Sequence, residues 1–281
     1  MLPHQVDSRA PYRRVRVTRV GRATVRSAED VAATEEPLEV RLHGRSFAVI
    51  MRTPGADREL AAGFLLSESV IRSHDDLGAV EHCHHPEHPE VHNIVDVYLL
   101  GDAAAGLEAR LEQRRNILTS SSCGLCGRVT IDSLRVCASP LEGTDRIDWT
   151  VAAALPGRLR ERQAVFDETG GLHGAALFTL DGECEASAED VGRHNAVDKV
   201  IGAQLFADRV PLTGRALLVS GRASFEIVQK AWLAGVAIVC AVSAPSSLAI
   251  ELADEAGITL LGFVRDGGFN IYTHPSRVLG V

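Results

Sequence analysis

A chain of 281 residues is long enough for one large domain or two modest ones around a real core. Hydrophobic residues make up 46% of it, and no apolar run nears the roughly 20 residues of a membrane span, so the sequence reads as globular with no membrane partner. Met1 to Arg26 carries seven Arg against one Asp, +6, while the whole chain is −8; the remainder is therefore −14, which argues against nucleic acid as a main partner.

The basic start has no apolar stretch of the secretory kind, so the chain is placed in the cytoplasm. Residues 1–27 are expected to form a flexible tail. Residues 28–118 read as a smaller N-terminal α+β subdomain. Within it, 37–42 and 46–51 alternate apolar and polar around His43-Gly44, a hairpin pattern. Pro54-Gly55 breaks it, and a helix is expected from near Asp57, with Asp57 as cap and Leu60, Phe64 and Leu65 on one face. A strand over 91–100 and a charged helix over 107–117 follow.

Residues 119–130 are dominated by Ser, Gly and Cys and are expected to form a mobile loop. Residues 131–281 alternate regularly. Strands are predicted over 175–180, 216–220, 236–242, 258–264 and 269–272, and helices over 193–206, 225–234 and 246–256. That alternation describes a layered α/β domain.

Chemistry concentrates at a few places. Six cysteines in a cytoplasmic chain of this length are expected to be reduced, catalytic or metal-bound. Cys123-Gly124-Leu125-Cys126 is the sharpest signal. A glycine-rich loop exposes a thiol, and Arg128 with a following helix start favours its thiolate. The motif alone also fits redox proteins and half of a zinc site. The stretch from His82 to His92 is rich in His and reads as a loop, with metal binding as its alternative. Cys137, Cys184 and Cys240 read as core thiols.

Arg193, His194 and Lys199 enter one predicted helix behind a glycine, and Ser220-Gly221-Arg222 enters the next. Both patterns suit an anion at a helix N-terminus or at the strand ends of an α/β sheet. Only two of the 29 basic residues are lysine, Lys199 and Lys230, which suggests places where Arg does not fit.

These motifs, with Glu36-Pro37-Leu38, Arg52-Thr53-Pro54-Gly55, Thr169-Gly170-Gly171-Leu172-His173, Glu189-Asp190-Val191-Gly192-Arg193-His194-Asn195 and Ser220-Gly221-Arg222-Ala223-Ser224, resemble the FdhD-type formate dehydrogenase accessory sulfurtransferases, in the same order and from about residue 35 onward. The resemblance implies a cytidine-deaminase-like fold and a homodimer. It implies a sulfur carrier that takes persulfide sulfur from a cysteine desulfurase on Cys123 and passes it to bis-molybdopterin guanine dinucleotide, as formate dehydrogenase requires. Cys126 would assist. Phe263, Val264, Arg265, Asp266, Gly267 and Gly268 would bind the cofactor, joined by Arg193, His194, Lys199 and Arg222 on the residue-level argument. Cys123 and Cys126 must stay free for sulfur, so no metal is expected.

Two other readings stand beside this one. A pure molybdenum-cofactor chaperone would bind the pterin and transfer nothing. A zinc nucleoside deaminase would need His-x-Glu with Pro-Cys-x-x-Cys; no His-x-Glu is read in that role, and no Pro precedes Cys123.

Overall fold

The computed structural model describes residues 10–83, 93–108, 111 and 138–281. Its first element corrects an expectation. The basic start is not a tail throughout: β1 (Tyr12–Gly21) and β2 (Thr24–Ala33) pair antiparallel from Tyr12↔Ala33 to Gly21↔Thr24. Val15, Val17 and Val20 alternate with arginines along β1, and β-branched residues suit an extended ribbon. The ribbon is mostly exposed, and Val20 and Val25 near its tip are 75% and 72% accessible. Its base is closed by a hydrogen bond from the Thr34 N–H to the Pro11 carbonyl at 2.9 Å.

A four-stranded sheet follows. It holds β3 (Glu36–Leu42), β4 (Arg45–Arg52), β5 (Leu77–Cys83) and β6 (Ile94–Leu99), in the order β4-β3-β6-β5. His43 and Gly44 turn the β3–β4 hairpin with φ of 50° and 77°, as a tight two-residue turn requires. The inner face presents Leu38, Val40, Leu42, Val95 and Val97, and α1 (Asp57–Ser67) covers it with Leu60, Leu65 and Leu66. Asp57 does not cap α1. Ala56 holds that position at φ 52°, while the Asp57 carboxylate takes a two-pronged pair of bonds from Arg52, Nε and Nη2 each at 2.9 Å. A short helix, α2 (Gly101–Ala105), leaves the sheet, and the charged helix expected over 107–117 falls mostly outside the described residues.

The second half is a mixed six-stranded sheet in the order β13-β12-β11-β10-β8-β9. Strands β10 (Arg215–Val219), β11 (Ile238–Ala241) and β12 (Thr259–Arg265) run parallel. The flanking strands β8 (His173–Thr179), β9 (Cys184–Asp190) and β13 (Gly268–Ile271) pair antiparallel. A two-stranded pair of β7 (Ile147–Asp148) and β14 (Val278–Leu279) lies apart. Successive residues alternate between two cores. Ala176, Phe178, Leu218 and Cys240 face α3 (Trp149–Arg160), and Ala175, Leu177, Leu217 and Val239 face the other side. That other side carries α5 (Arg193–Phe206), α6 (Phe225–Leu233) and α7 (Ser247–Glu255); α4 (Ala164–Thr169) is a short piece before β8.

The cut expected near residues 119–130 does not divide the packing. One apolar cluster runs from Leu38 and Leu60 through Val197 and Ile227 to Leu260. The joint is the crossing of α1 over α5. A Cβ on Gly63 would lie 1.9 Å from the Asp198 carbonyl oxygen, and one on Gly202 the same distance from that of Glu59. Only glycine lets two backbones approach so closely.

Candidate functional site

The ends of β10, β11 and β12 and the turn from β9 into α5 lie along one edge of the large sheet. Backbone bonds tie this edge together. Ser243 N–H donates to the Gly221 carbonyl at 3.3 Å, and Phe263 N–H donates to the Ser243 carbonyl at 3.2 Å. β8 is antiparallel to β10, so its first residues, His173 and Gly174, return to the same edge; Gly174 N–H donates to Ser220 Oγ at 2.9 Å.

The turn into α5 is anchored from beneath. Asp190 is fully buried and accepts from Gly192 N–H at 2.8 Å, Asn195 Nδ2 at 2.9 Å, Thr53 N–H at 3.1 Å and Lys199 Nζ at 2.7 Å. Lys199 also donates to the Thr53 carbonyl at 2.9 Å and is 3% exposed. Lys199 is therefore a strut under the site, spent on Asp190 and on the turn after β4, and it does not open toward a ligand. Glu189 likewise looks inward, accepting from the N–H groups of Val165 and Phe166 at the start of α4.

Above this floor stand the groups that face one another. His194 Nε2 lies 3.1 Å from Ser224 Oγ and 3.6 Å from the Glu226 carboxylate, so the first turns of α5 and α6 touch. Burial acts to raise the Glu226 pKa, but hydrogen bonds from His194, Ser224 and its own backbone N–H prevail and hold it at about 2. His173 sits beside them. Burial, and then the charges of Arg193 and His194, lower its pKa against the opposing pull of Asp190. A Cβ on Gly221 would lie 3.4 Å from His173 Nδ1 and 3.8 Å from Arg193 Cδ, so these three residues meet. The buried Nε of Arg193 has no hydrogen-bond partner among the described residues. An orphaned buried donor is costly unless a ligand satisfies it.

Phe263 to Gly268 form the end of this edge. Phe263 is 39% exposed with φ 55°, a left-handed conformation that is strained for an aromatic residue. It sits in an irregular stretch of the β12–β13 pairing between Gly262 and Arg265. Arg265, Asp266 and Gly267 are exposed at the turn, as is Arg222 at the end of β10. Val264 differs: it is fully buried against the α3 side of the sheet and serves the core.

The structure thus brings Arg193 and His194 together with the strand-end loops and sets Lys199 and Val264 aside. It adds His173, Ser220 and Glu226. The Gly170-Gly171-Leu172-His173 motif carried the signal for His173, but only the antiparallel placement of β8 shows where the ring lies.

Cys123, Cys126 and Arg128 lie outside the described residues, as do His84 to His92. So do the two His-x-Glu triplets, His85-Pro86-Glu87 and His88-Pro89-Glu90, that the sequence does contain; the missing Pro before Cys123 alone carries the case against a deaminase motif. Of the described cysteines, Cys240 is buried and its thiol is pushed up to about 12, and burial also raises that of Cys184. Neither is a ready nucleophile. Among the described residues no helix is long and apolar enough to cross a membrane.

Residues 33–279 match the model of the FdhD/NarQ family. The chain is 48% identical over 271 residues to a protein of Streptomyces coelicolor named sulfur carrier protein FdhD, covering 94% of this chain and 95% of that one. A protein of the same name from Streptomyces avermitilis is 46% identical over 270 residues, with 94% and 95% covered. One from Sulfurisphaera tokodaii is 44% identical over 270 residues, with 95% and 99% covered. The crystal structure of a protein from Desulfotalea psychrophila described as a formate dehydrogenase accessory protein shares the fold, with a TM-score of 0.76 at 22% identity over 96% of this chain and 100% of that one.

Proposed function

This chain belongs to the FdhD/NarQ family, and on that premise we propose that it is a sulfurtransferase that carries sulfur on Cys123 to bis-molybdopterin guanine dinucleotide for formate dehydrogenase. Relatives named sulfur carrier proteins support the sulfur half of the reading. The observation that carries the cofactor half is the buried Arg193 Nε, unpaired among the described residues, where the starts of α5 and α6 meet. The diphosphate arms of the pterin dinucleotide are anionic, and helix N-termini with a guanidinium suit them. Phe263 offers an exposed ring and Gly267 an open backbone, with φ +99° and, among the described residues, nothing within 4 Å of its absent side chain. The donor set therefore fits this cargo.

In the loading step, the Cys123 thiolate attacks the outer sulfur of the desulfurase persulfide. The S–S bond breaks, the desulfurase cysteine leaves as thiolate, and Cys123 holds the persulfide. Cys126 protects or resolves it. The cargo is then held along the strand ends while sulfur moves. The reading includes a homodimer, a cysteine desulfurase and formate dehydrogenase as partners, action in the cytoplasm, and a cytidine-deaminase-like class for the large sheet. Intact-protein mass after incubation with a desulfurase and cysteine tests it. A gain of about 32 Da, one sulfur, is expected on the wild type and not on Cys123→Ala. An adduct that persists without Cys123 would refute the assignment. No adduct on any variant would leave the chaperone reading in its place.

A further inference from the structure

The β1–β2 ribbon has two strands of ten residues, yet none of residues 12–33 is buried. A two-stranded ribbon is marginal by itself in water, and its open edges invite a partner. Its exit from the body is nevertheless fixed. Thr34 N–H bonds the Pro11 carbonyl, and the Ala33 side chain lies 3.5 Å from where a Cβ on Gly171 would stand. Held at this base, the ribbon stays exposed and does not lie down on its own body.

Its charge is opposite to that body. From Tyr12 to Ala28 there are six Arg, no Lys and no acidic residue. Residues 1–33 hold seven Arg against Asp7, Glu29 and Asp30, +4; the whole chain is −8, so residues 34–281 carry −12. Arg14 and Arg19 reach Glu29 and Asp30 at 3.5 Å and 3.6 Å, but both pairs are at least half exposed and worth little. Arg13, Arg16, Arg22 and Arg26 form no ion pair among the described residues. Arg19 and Arg26 stand directly opposite each other, a like-charge pairing that destabilises a ribbon until an anion offsets it. The next pair toward the tip is Val20↔Val25, an exposed apolar spot.

We propose that this ribbon is an arm that docks on the acidic body of a second copy of the chain, the two copies exchanging arms about a two-fold axis. The assignment rests on the homodimer reading and gives that dimer its contact surface. Charge selects the occupant. Two copies of net −8 repel as wholes, so a stable contact must set positive surface on one against negative surface on the other. The ribbon supplies the positive part, and residues 34–281 supply the negative part. Two-fold exchange uses the same complement twice. The size also fits. The strand residues of one arm approach the roughly 20–30 residues that each side brings to an interface of standard size. Arginine is the cation that interfaces favour over lysine, and Val20 with Val25 gives the contact an apolar centre.

The test is sedimentation equilibrium on the full chain, at about 50 mM and about 500 mM salt, over which screening becomes strong. Wild type should be a dimer whose dissociation constant rises roughly tenfold across that range. Arg16→Glu with Arg22→Glu and Arg26→Glu should weaken it by roughly a hundredfold, whereas the same three positions changed to Lys should keep most of the dimer. These side chains are exposed, so far-UV circular dichroism should not change in either variant. A photo-crosslinking side chain placed at Val20 reads the contact without altering its charge. In a mixture of isotopically heavy and light copies, it should link to residues 34–281 of the other copy. A monomeric wild type would overturn both the arm and the homodimer. A salt-insensitive dimer, a charge-reversed variant that dimerises as wild type does, or Val20 links confined to its own chain or to the other ribbon would each overturn the arm alone. A dimer whose arms make no link to the other copy would do the same, leaving the ribbon to a different acidic protein.

Discussion

Among the places where this molecule buries charge, two neighbouring regions are built differently. Where α1, α5 and α6 cross, the buried Lys230 and Asp198 are matched to each other. Lys230 donates to both oxygens of Asp198 at 2.7 Å, and Ser67 adds a bond to the same carboxylate at 2.8 Å. At the strand ends of the large sheet, among the described residues, Arg193 is left with an unpaired Nε and His173 stands beside it without a hydrogen bond. A closed network fixes one arrangement of helices, whereas an open one keeps donors in reserve for something that arrives later. The two lysines mark this boundary. Both are buried with the ammonium on a carboxylate, Lys199 on Asp190 at the end of β9 and Lys230 on Asp198 between α6 and α5.

The sharpest way to break the comparison is to open the closed side. Lys230→Ala strands Asp198 in the core and should cost about 3–5 kcal/mol in urea unfolding. Replacing both partners by apolar residues, Lys230→Met with Asp198→Leu, should recover much of that. A double variant as unstable as the single one would show that Ser67 and the surrounding packing, not the ion pair, set the cost. Gly202→Ala comes next. Its methyl would fall 1.9 Å from the Glu59 carbonyl oxygen, so α1 must move off α5, at a cost of about 3 kcal/mol. Since α1 also covers the small sheet, hydrogen exchange in β3 and β6 should rise with it.

The open side should respond in the opposite sense. Arg193→Ala removes an unsatisfied donor, so unfolding stability should stay within about 0.5 kcal/mol of wild type or improve. A loss of stability of the size seen for Lys230→Ala would mean that Arg193 is structural and that the contrast between the two regions is false.

Much of the large sheet was legible because its central strands are continuous apolar runs that end in small polar residues. Leu217 to Val219 and Ile238 to Ala241 are buried on both faces, and Ser246 caps α7 by accepting from Ala249 N–H at 3.3 Å. The missed elements lack that contrast. β1 and β2 form a ribbon with little buried face, so alternating Arg and Val looked like a solvated tail. β9 reads Cys-Glu-Ala-Ser-Ala-Glu-Asp because it is an edge strand, and α3 contains Pro156, which argues against a helix in sequence. At the site, residue types were legible and partners were not. Lys199 and Arg193 look alike in the string, six positions apart on one helix. Only the chain reversal that brings Thr53 and Asp190 beneath Lys199 decides which of them is free.

Glu226 carries the smallest expected effect and probes the seam between the two regions. It lies in the first turn of α6, the helix that also supplies Lys230 to the closed network, while its carboxylate faces His194 at the open edge. Its pKa is held at about 2, below the ordinary 4.5. A carboxylate whose folded value is depressed adds stability above its unfolded value, and that stability is lost as pH falls. The loss should begin near pH 4.5 and be complete once pH passes below about 2. The group is only about half buried and solvent shares its field, so the contribution is about 1 kcal/mol. Glu226→Gln keeps the shape and should flatten the stability profile across this acid window, leaving neutral-pH folding nearly unchanged. It should also free His194 from its anionic neighbour. GDP, standing in for one nucleotide arm of the cargo, then meets less negative charge at the edge, and its affinity should rise slightly, by roughly twofold. An acid profile that Glu226→Gln leaves untouched would mean that the His194–Ser224–Glu226 contacts do not hold the two helix starts together, and that the open edge is looser than its geometry shows.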